Sequence, residues 1–134
     1  MRLFESGEDY LEAILMVSER KNEVHAIDIV NELGYSKPSV SIALKKLRAQ
    51  NFITIDENNH LHLTDKGLDI ATKIYERHKV LTDILVKLGV NLKTAEDDAC
   101  MLEHDLSDES WEAIKKYYMN KYMLILLNYI LILN

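Results

Sequence analysis

The order of patterns between residues 26 and 63 restricts the fold more strongly than any other feature of the sequence. Residues 26–33 have apolar side chains at helical spacing, and Gly34 follows as a helix-terminating glycine. A second helical pattern begins at Ser36, a favoured capping residue, and tolerates Pro38 in its first turn. Two helices joined by a short turn that contains glycine predict a helix-turn-helix.

A β-hairpin is predicted directly afterwards. Apolar and polar residues alternate with a period of two in 53–56 and in 60–63, and the polar segment 57–59 supplies the turn. Because this hairpin follows the helix-turn-helix without a long linker, the pattern predicts a winged helix.

Further helices are predicted on both sides of this unit. Ser6 is expected to cap a first helix through a capping box with Asp9. A long fourth helix should end near Gly89. The expected capping residues of the later helices are Thr64 for the fourth, Thr94 for the fifth and Ser107 for the sixth.

These elements predict a mainly α fold with two domains. A winged helix-turn-helix, built from three helices and a β-hairpin wing, is expected in residues 1–64. An all-α domain is expected in residues 65–134.

The charge distribution indicates different tasks for different regions. The formal net charge is −6, yet residues 33–52 contain four basic side chains and no acidic one. Subtracting this +4 from −6 leaves −10 for the rest of the chain, and acidic residues cluster between positions 94 and 112. A basic stripe on one element and an acidic cluster on another suggest two functions for two regions.

The sequence also suggests a cellular setting. A single cysteine, Cys100, excludes an internal disulfide and suits the reducing cytoplasm. The N-terminus lacks the pattern of a secretory signal. The apolar stretch 123–133 is shorter than the roughly 20 residues that span a bilayer as a helix. We therefore expect a cytoplasmic protein without a membrane partner.

The polar face of the third helix holds the candidate DNA contacts. Val40, Leu44 and Leu47 should face the core, which leaves the opposite face for base edges and phosphates. The candidate DNA-binding residues are Ser36, Lys37, Pro38, Ser39, Ser41, Lys45 and Lys46. A solvated face in a protein-binding winged helix is the alternative, but the concentration of basic charge on this helix favours DNA.

Three side chains of the fifth helix have the chemistry of a metal site. Cys100, Glu103 and His104 are spaced i, i+3 and i+4, so they share one helical face. Thiolate, carboxylate and imidazole together are typical of a divalent transition-metal site. The spacing alone leaves a core cysteine and a surface Glu–His pair as the alternative.

Two other positions could add ligands. Asp9 and Glu12 form an acidic pair in the first helix, although acidic residues are also favoured there by the helix dipole. His78 lies on the apolar stripe of the fourth helix, where a histidine is more often a satisfied core residue.

Longer stretches of the sequence closely resemble the diphtheria toxin repressor family. They are ESGEDYLEAI at 5–14, GYSKPSVS at 34–41, LTDKG at 63–67, Arg77–His78, DDACMLEH at 97–104 and SDE at 107–109. These motifs occur in the order expected for the family, and the resemblance extends from about Glu5 to Tyr118. The lack of an SH3-like domain resembles the shorter manganese transport regulator branch.

The resemblance implies a homodimer that binds Fe²⁺ or Mn²⁺ and then represses metal-uptake genes at double-stranded operator DNA. It implies metal ligands from the first, fourth and fifth helices, namely Asp9, Glu12, His78, Cys100, Glu103 and His104. The metal would thereby hold two recognition helices about 34 Å, or one DNA turn, apart. Co²⁺, Ni²⁺ and Zn²⁺ are expected surrogates.

The ligand pattern is a hybrid of two branches. Asp9 resembles the manganese branch and Cys100 the iron branch, and a thiolate tilts selectivity from Mn²⁺ toward Fe²⁺, Co²⁺ or Zn²⁺. Thr82 stands where many members have a glutamate of an ancillary site, and Glu96 stands where the iron branch has a histidine.

The C-terminal segment 119–134 resembles nothing in the family. Its residues are mostly Leu, Ile, Tyr and Asn. An exposed apolar segment of this kind would promote aggregation. We therefore expect it to be buried, for example across the dimer; unrelated residues added after a truncation are the alternative.

Together these features predict a metal-dependent transcriptional repressor of metal-uptake or metal-homeostasis genes, with no small-molecule substrate. A metal-independent winged-helix regulator or a protein-interaction module is the alternative. An enzyme is not expected, because the sequence has neither an HExxH motif nor a glycine-rich phosphate loop.

Overall fold

A computed structural model describes residues 6–134, and these form six helices and one two-stranded sheet. The elements are α1 (Gly7–Arg20), α2 (Ala26–Leu33), α3 (Lys37–Ala49), β1 (Ile53–Ile55), β2 (Leu61–Leu63), α4 (Asp65–Lys87), α5 (Leu92–Asp105) and α6 (Asp108–Leu133). The predicted mainly α fold with a winged helix-turn-helix is confirmed. Glu5, the first residue of the family motif, lies outside the described residues.

The chain divides into two compact units, the first ending at Tyr75 and the second beginning at Glu76. This division falls inside α4, which contributes its first half to one unit and its second half to the other. The expected domains 1–64 and 65–134 stay a prediction.

The first unit encloses an apolar core formed by α1, α2, α3 and the hairpin. The predicted core positions Val40, Leu44 and Leu47 of α3 are all buried. Other buried members of this core are Leu11, Ile14, Ile29, Phe52 and Ile53. Burying one face of α3 here leaves its polar face in solvent, as a recognition helix requires.

The hairpin forms where the alternation predicts it. Ile53 pairs with Leu63 and Ile55 with Leu61 in an antiparallel register. The backbone N–H of Leu61 also donates to the carbonyl of Val24 at 2.8 Å, which joins the hairpin to the loop between α1 and α2.

Three of the predicted helix caps are present. The side-chain oxygens of Ser36, Thr64 and Ser107 accept backbone N–H bonds from Ser39, Gly67 and Ser110, at 3.3, 3.1 and 3.1 Å. Gly34 has φ +72°, the left-handed conformation expected after α2.

One predicted cap has the right position but lacks its side-chain hydrogen bond, and another is wrong in position. Ser6 stands at the N-cap of α1, but its side chain makes no capping hydrogen bond. α5 begins at Leu92, where the side chain of Asn91 accepts from the backbone N–H of Lys93. Asparagine is at least as good a cap as threonine, so the helix starts before Thr94.

The start of α4 packs unusually closely on the chain segment before the hairpin. Thr64 donates its backbone N–H to the carbonyl of Phe52 at 3.1 Å, and a Cβ placed on Gly67 would overlap that same carbonyl. Only glycine allows this approach.

We expect Gly67→Ala to lower the free energy of unfolding by about 2–3 kcal/mol, because a backbone atom cannot move aside as a side chain can. Urea denaturation followed by circular dichroism measures this. Gly34→Ala is the matched control: a Cβ there meets no atom within 4 Å, so only the cost of positive φ, about 1 kcal/mol, is expected. An equal loss of unfolding free energy in both variants would contradict the close contact between Gly67 and the carbonyl of Phe52.

In the second unit, the first half of α6 is held against α4. Tyr118 donates its hydroxyl hydrogen to Asp83 at 2.5 Å, Lys115 forms an ion pair with Glu76 at 2.9 Å, and Trp111 is buried. From Tyr122 onward the large apolar side chains of α6 are exposed. A single chain therefore does not bury its apolar C-terminal segment as expected. Among residues 6–134, no helix has the length and apolar character needed to cross a bilayer.

Candidate metal centre and recognition helix

Side chains from α4 and α5 converge on one point in the second unit. Nδ1 of His78 lies 3.0 Å from Oε2 of Glu103 and 3.7 Å from Sγ of Cys100. Cys100 and Glu103 are three residues apart on α5, so one helical face presents both to the imidazole. Donor atoms of the three residues lie within 4.8 Å of one another.

His104 adds a second imidazole to this cluster. Its Nε2 atom lies 3.3 Å from Oε1 of Glu103, the oxygen that does not face His78. The structure thus brings together four of the six residues that the sequence suggested as ligands. Their role as ligands stays a prediction.

The electrostatics of the cluster suit a cation. The sulfur of Cys100, and next the carboxylate of Glu103, raise the pKa of the His78 imidazole to about 10. The Glu103 side chain is fully buried, and buried carboxylates in proteins are paired with cations or coordinate metals. An imidazole nitrogen, a thiolate sulfur and a carboxylate oxygen are ligands that a divalent transition ion accepts. The residues present therefore fit such an ion.

Arg77 lies beside this cluster and binds the backbone that carries it, a role that the sequence patterns did not identify. Its guanidinium lies 3.4 Å from the backbone carbonyls of Glu103 and Leu106 and forms a 2.8 Å ion pair with Asp108. The group thereby holds the C-terminal end of α5, where Glu103 and His104 are located. The only sequence signal was the position of Arg77 directly before His78.

The remaining two candidate ligands lie in the first unit. Asp9 and Glu12 are one turn apart on α1; Asp9 is partly buried and Glu12 is buried. Their participation in the metal site stays a prediction.

All seven candidate DNA-binding residues of the third helix are exposed. Ser36 caps α3, and the basic side chains of Lys45 and Lys46 extend into solvent from its later turns. Lys37, Ser41 and Lys45 also line a groove between α2, α3 and the hairpin. The polar face of α3 is therefore exposed rather than packed in the core of the first unit.

Two family descriptions match successive parts of the chain. Residues 2–61 match the N-terminal DNA-binding domain of iron-dependent repressors. Residues 64–121 match the metal-binding and dimerisation domain of the same repressors.

Individual relatives agree with these matches. An uncharacterized HTH-type transcriptional regulator of Methanocaldococcus jannaschii is 36% identical over 120 residues, which cover 88% of this chain and 95% of the relative. The transcriptional regulator MntR of Escherichia coli is 31% identical over 110 residues, covering 82% of this chain and 71% of the relative.

Solved structures show the same fold. The manganese regulator SloR has a TM-score of 0.75 at 29% identity, covering 86% of this chain and 54% of that one. ScaR with bound Zn²⁺ has a TM-score of 0.69 at 26% identity, covering 84% and 53%. This chain thus spans about half the length of these two solved chains. The chain belongs to the iron-dependent repressor family, which includes the diphtheria toxin repressor and manganese transport regulator branches.

Proposed function

We propose that this protein is a homodimeric transcriptional repressor that binds double-stranded operator DNA when Fe²⁺ or Mn²⁺ is bound, and so controls metal-uptake or metal-homeostasis genes. The observation that carries the proposal is the buried Glu103 carboxylate flanked by His78, Cys100 and His104, in a chain that also contains a winged helix. We assign it to the cytoplasm and assign it no enzymatic activity.

The donor set supports a particular metal preference. A Cys100 thiolate would favour Fe²⁺, Co²⁺ or Zn²⁺ over Mn²⁺, whereas carboxylates accept all of them. Asp9 and Glu12 are proposed as further ligands from α1. Arg77 would keep the end of α5 in place while the ion binds.

A DNA-binding titration with and without metal tests this function. The DNA is a duplex selected from a random pool by the Fe²⁺-loaded protein under anaerobic conditions, which keep Cys100 reduced. A coupling of 1–3 kcal/mol per site predicts that chelator weakens binding about 5- to 150-fold. Equal affinity in chelator would contradict metal control and favour a metal-independent winged-helix regulator.

The basic residues of α3 should supply affinity rather than sequence preference. We expect Lys45→Ala and Lys46→Ala each to weaken binding to all duplexes alike and to lower the slope of log K against log salt by about 1. Fluorescence anisotropy at several salt concentrations measures this. Lys116→Ala, an exposed lysine of α6, is the control and should change neither quantity. If the slope is unchanged in all three variants, these residues of α3 do not contact the DNA.

The exposed part of α6 supports a dimer. Residues 122–133 carry no charge, and eleven apolar side chains there are each about half to four-fifths exposed. They amount to roughly 1,000 Å² of apolar surface per chain, compared with about 800 Å² per partner in a standard stable interface. The matched dimerisation domain ends at residue 121, where this surface begins. We therefore propose a second copy of the chain as the partner that covers it.

A further inference from the structure

The hairpin of the first unit carries a second cluster of metal-ligating side chains. Nε2 of His62 lies 2.9 Å from Oδ2 of Asp56, and Nδ1 of His60 lies 3.5 Å from the same oxygen. Donor atoms of the three residues lie within 4.8 Å of one another. With metal–ligand distances of about 2.0–2.2 Å, these atoms need only small side-chain movements to share one ion.

The backbone of the hairpin fixes the Asp56 carboxylate for this role. Its Oδ1 atom accepts the backbone N–H groups of Asn58 at 2.8 Å and of His60 at 3.0 Å. Oδ2 is consequently the oxygen that faces the two imidazoles. Because side chains in extended chain alternate between faces, His60 and His62 emerge on the same side of the hairpin.

His60 also has a carboxylate next to its second ring nitrogen, as metal-binding histidines usually do. Its Nε2 atom, on the other side of the ring from the Asp56 contact, lies 3.5 Å from Oε2 of Glu23. A carboxylate on the second nitrogen fixes the tautomer and orients the ring toward a metal. His25 packs edge-on against this ring, with centroids 4.6 Å apart, and supports its position.

We propose that Asp56, His60 and His62 form a second divalent transition-metal site, separate from the cluster around Glu103. Two imidazole nitrogens and one carboxylate oxygen suit Zn²⁺ and its neighbours Co²⁺ and Ni²⁺, whereas Ca²⁺ and Mg²⁺ prefer all-oxygen ligands. Three protein ligands leave one position of a tetrahedral ion open to water or to an external oxygen ligand.

An ion at this site would change the charge of the wing. Residues 53–63 contain two acidic residues and no lysine or arginine, so the hairpin repels DNA phosphates. A bound divalent cation cancels this charge and offers its open position to a phosphate oxygen. This consequence rests on the proposed DNA-binding function, whereas the site itself does not.

Equilibrium dialysis of the full chain against Zn²⁺, with protein-bound zinc measured by mass spectrometry, tests the site. We expect the wild-type chain to bind one more ion than His62→Gln, or to bind that ion at least about tenfold more tightly. His62 is more than half exposed, so the exchange should leave the thermal unfolding midpoint unchanged. His25→Gln tests the overlapping group of Glu23, His25 and His60, whose donor atoms also lie within 4.8 Å of one another, and this variant should keep the ion if Asp56, His60 and His62 hold it.

Two results would overturn the wing site. One is equal zinc binding, in number and affinity, by the wild type and His62→Gln; the other is loss of the ion from His25→Gln but not from His62→Gln. Glu103→Gln, which alters the other cluster, should retain the wing ion. Failure of the wing site and failure of the proposed metal control therefore give different results.

Discussion

Glu103→Gln is expected to weaken the binding of Fe²⁺ or Mn²⁺ by about 100- to 1,000-fold, because one partner of a buried ionic cluster is removed while the others remain. The side chain keeps its shape and its fully buried position but loses the negative charge that faces His78 on one side and His104 on the other. An amide oxygen is a much weaker ligand for a divalent cation than a carboxylate.

Calorimetric titration with Mn²⁺ and anaerobic titration with Fe²⁺ measure the loss. Glu109→Gln makes the same chemical change at an exposed position of α6 and should bind metal as the wild type does. We also expect His104→Ala to weaken metal binding, and both variants to keep the winged helix folded, since neither residue belongs to the core of the first unit. Unchanged metal affinity in both Glu103→Gln and His104→Ala would show that the ligand assignment is wrong.

Features that depend on neighbouring residues could be predicted from the sequence. Gly34 ends α2 because a residue without Cβ adopts positive φ at little cost, and Ser36 caps α3 through a bond to a residue three positions later. The start of α5 was mispredicted because Asn91 and Thr94 are both good caps, and local preference does not choose between them.

Contacts between residues that are far apart in the sequence are harder to predict. Helical spacing placed Cys100 and Glu103 on one face, but nothing in the spacing brought His78, which lies 22 residues before Cys100, to that face. The position of His78 on the apolar stripe of α4 indicated contact with other helices, but only the family resemblance implied that it joins Cys100 and Glu103. The wing cluster had a sequence signal in His60-Leu61-His62, yet its third member depends on how the turn folds Asp56 back toward the strand.

For the C-terminal segment, the sequence predicts burial but not the partner that buries it. Its composition indicates that its surface should be buried, because a helix that is apolar all round is normally surrounded by protein. Composition does not indicate which chain covers it. In a single chain this surface is exposed, so burial requires another molecule.

Removing residues 122–134 is expected to raise the dissociation constant of the dimer by about 100-fold or more, because the chain loses roughly 1,000 Å² of apolar contact surface. An amphipathic helix lying on a membrane needs a charged face, and residues 122–133 have none. The second copy is therefore the partner that best fits this helix. In a symmetric dimer, each copy would present the same surface to the other.

Sedimentation equilibrium of the truncated chain, in metal-free and metal-loaded states, measures the change. Ile125→Asp and Leu92→Asp form a matched pair, since both residues are 57% exposed and both lie on helices of the second unit. A charge at Ile125 should dissociate the dimer because it falls within the proposed contact, whereas a charge at Leu92 falls at the start of α5 and should not. If the truncated chain and Ile125→Asp both dimerise as tightly as the full chain, the C-terminal helix is not part of the dimer contact, and its apolar surface must be covered by some other partner.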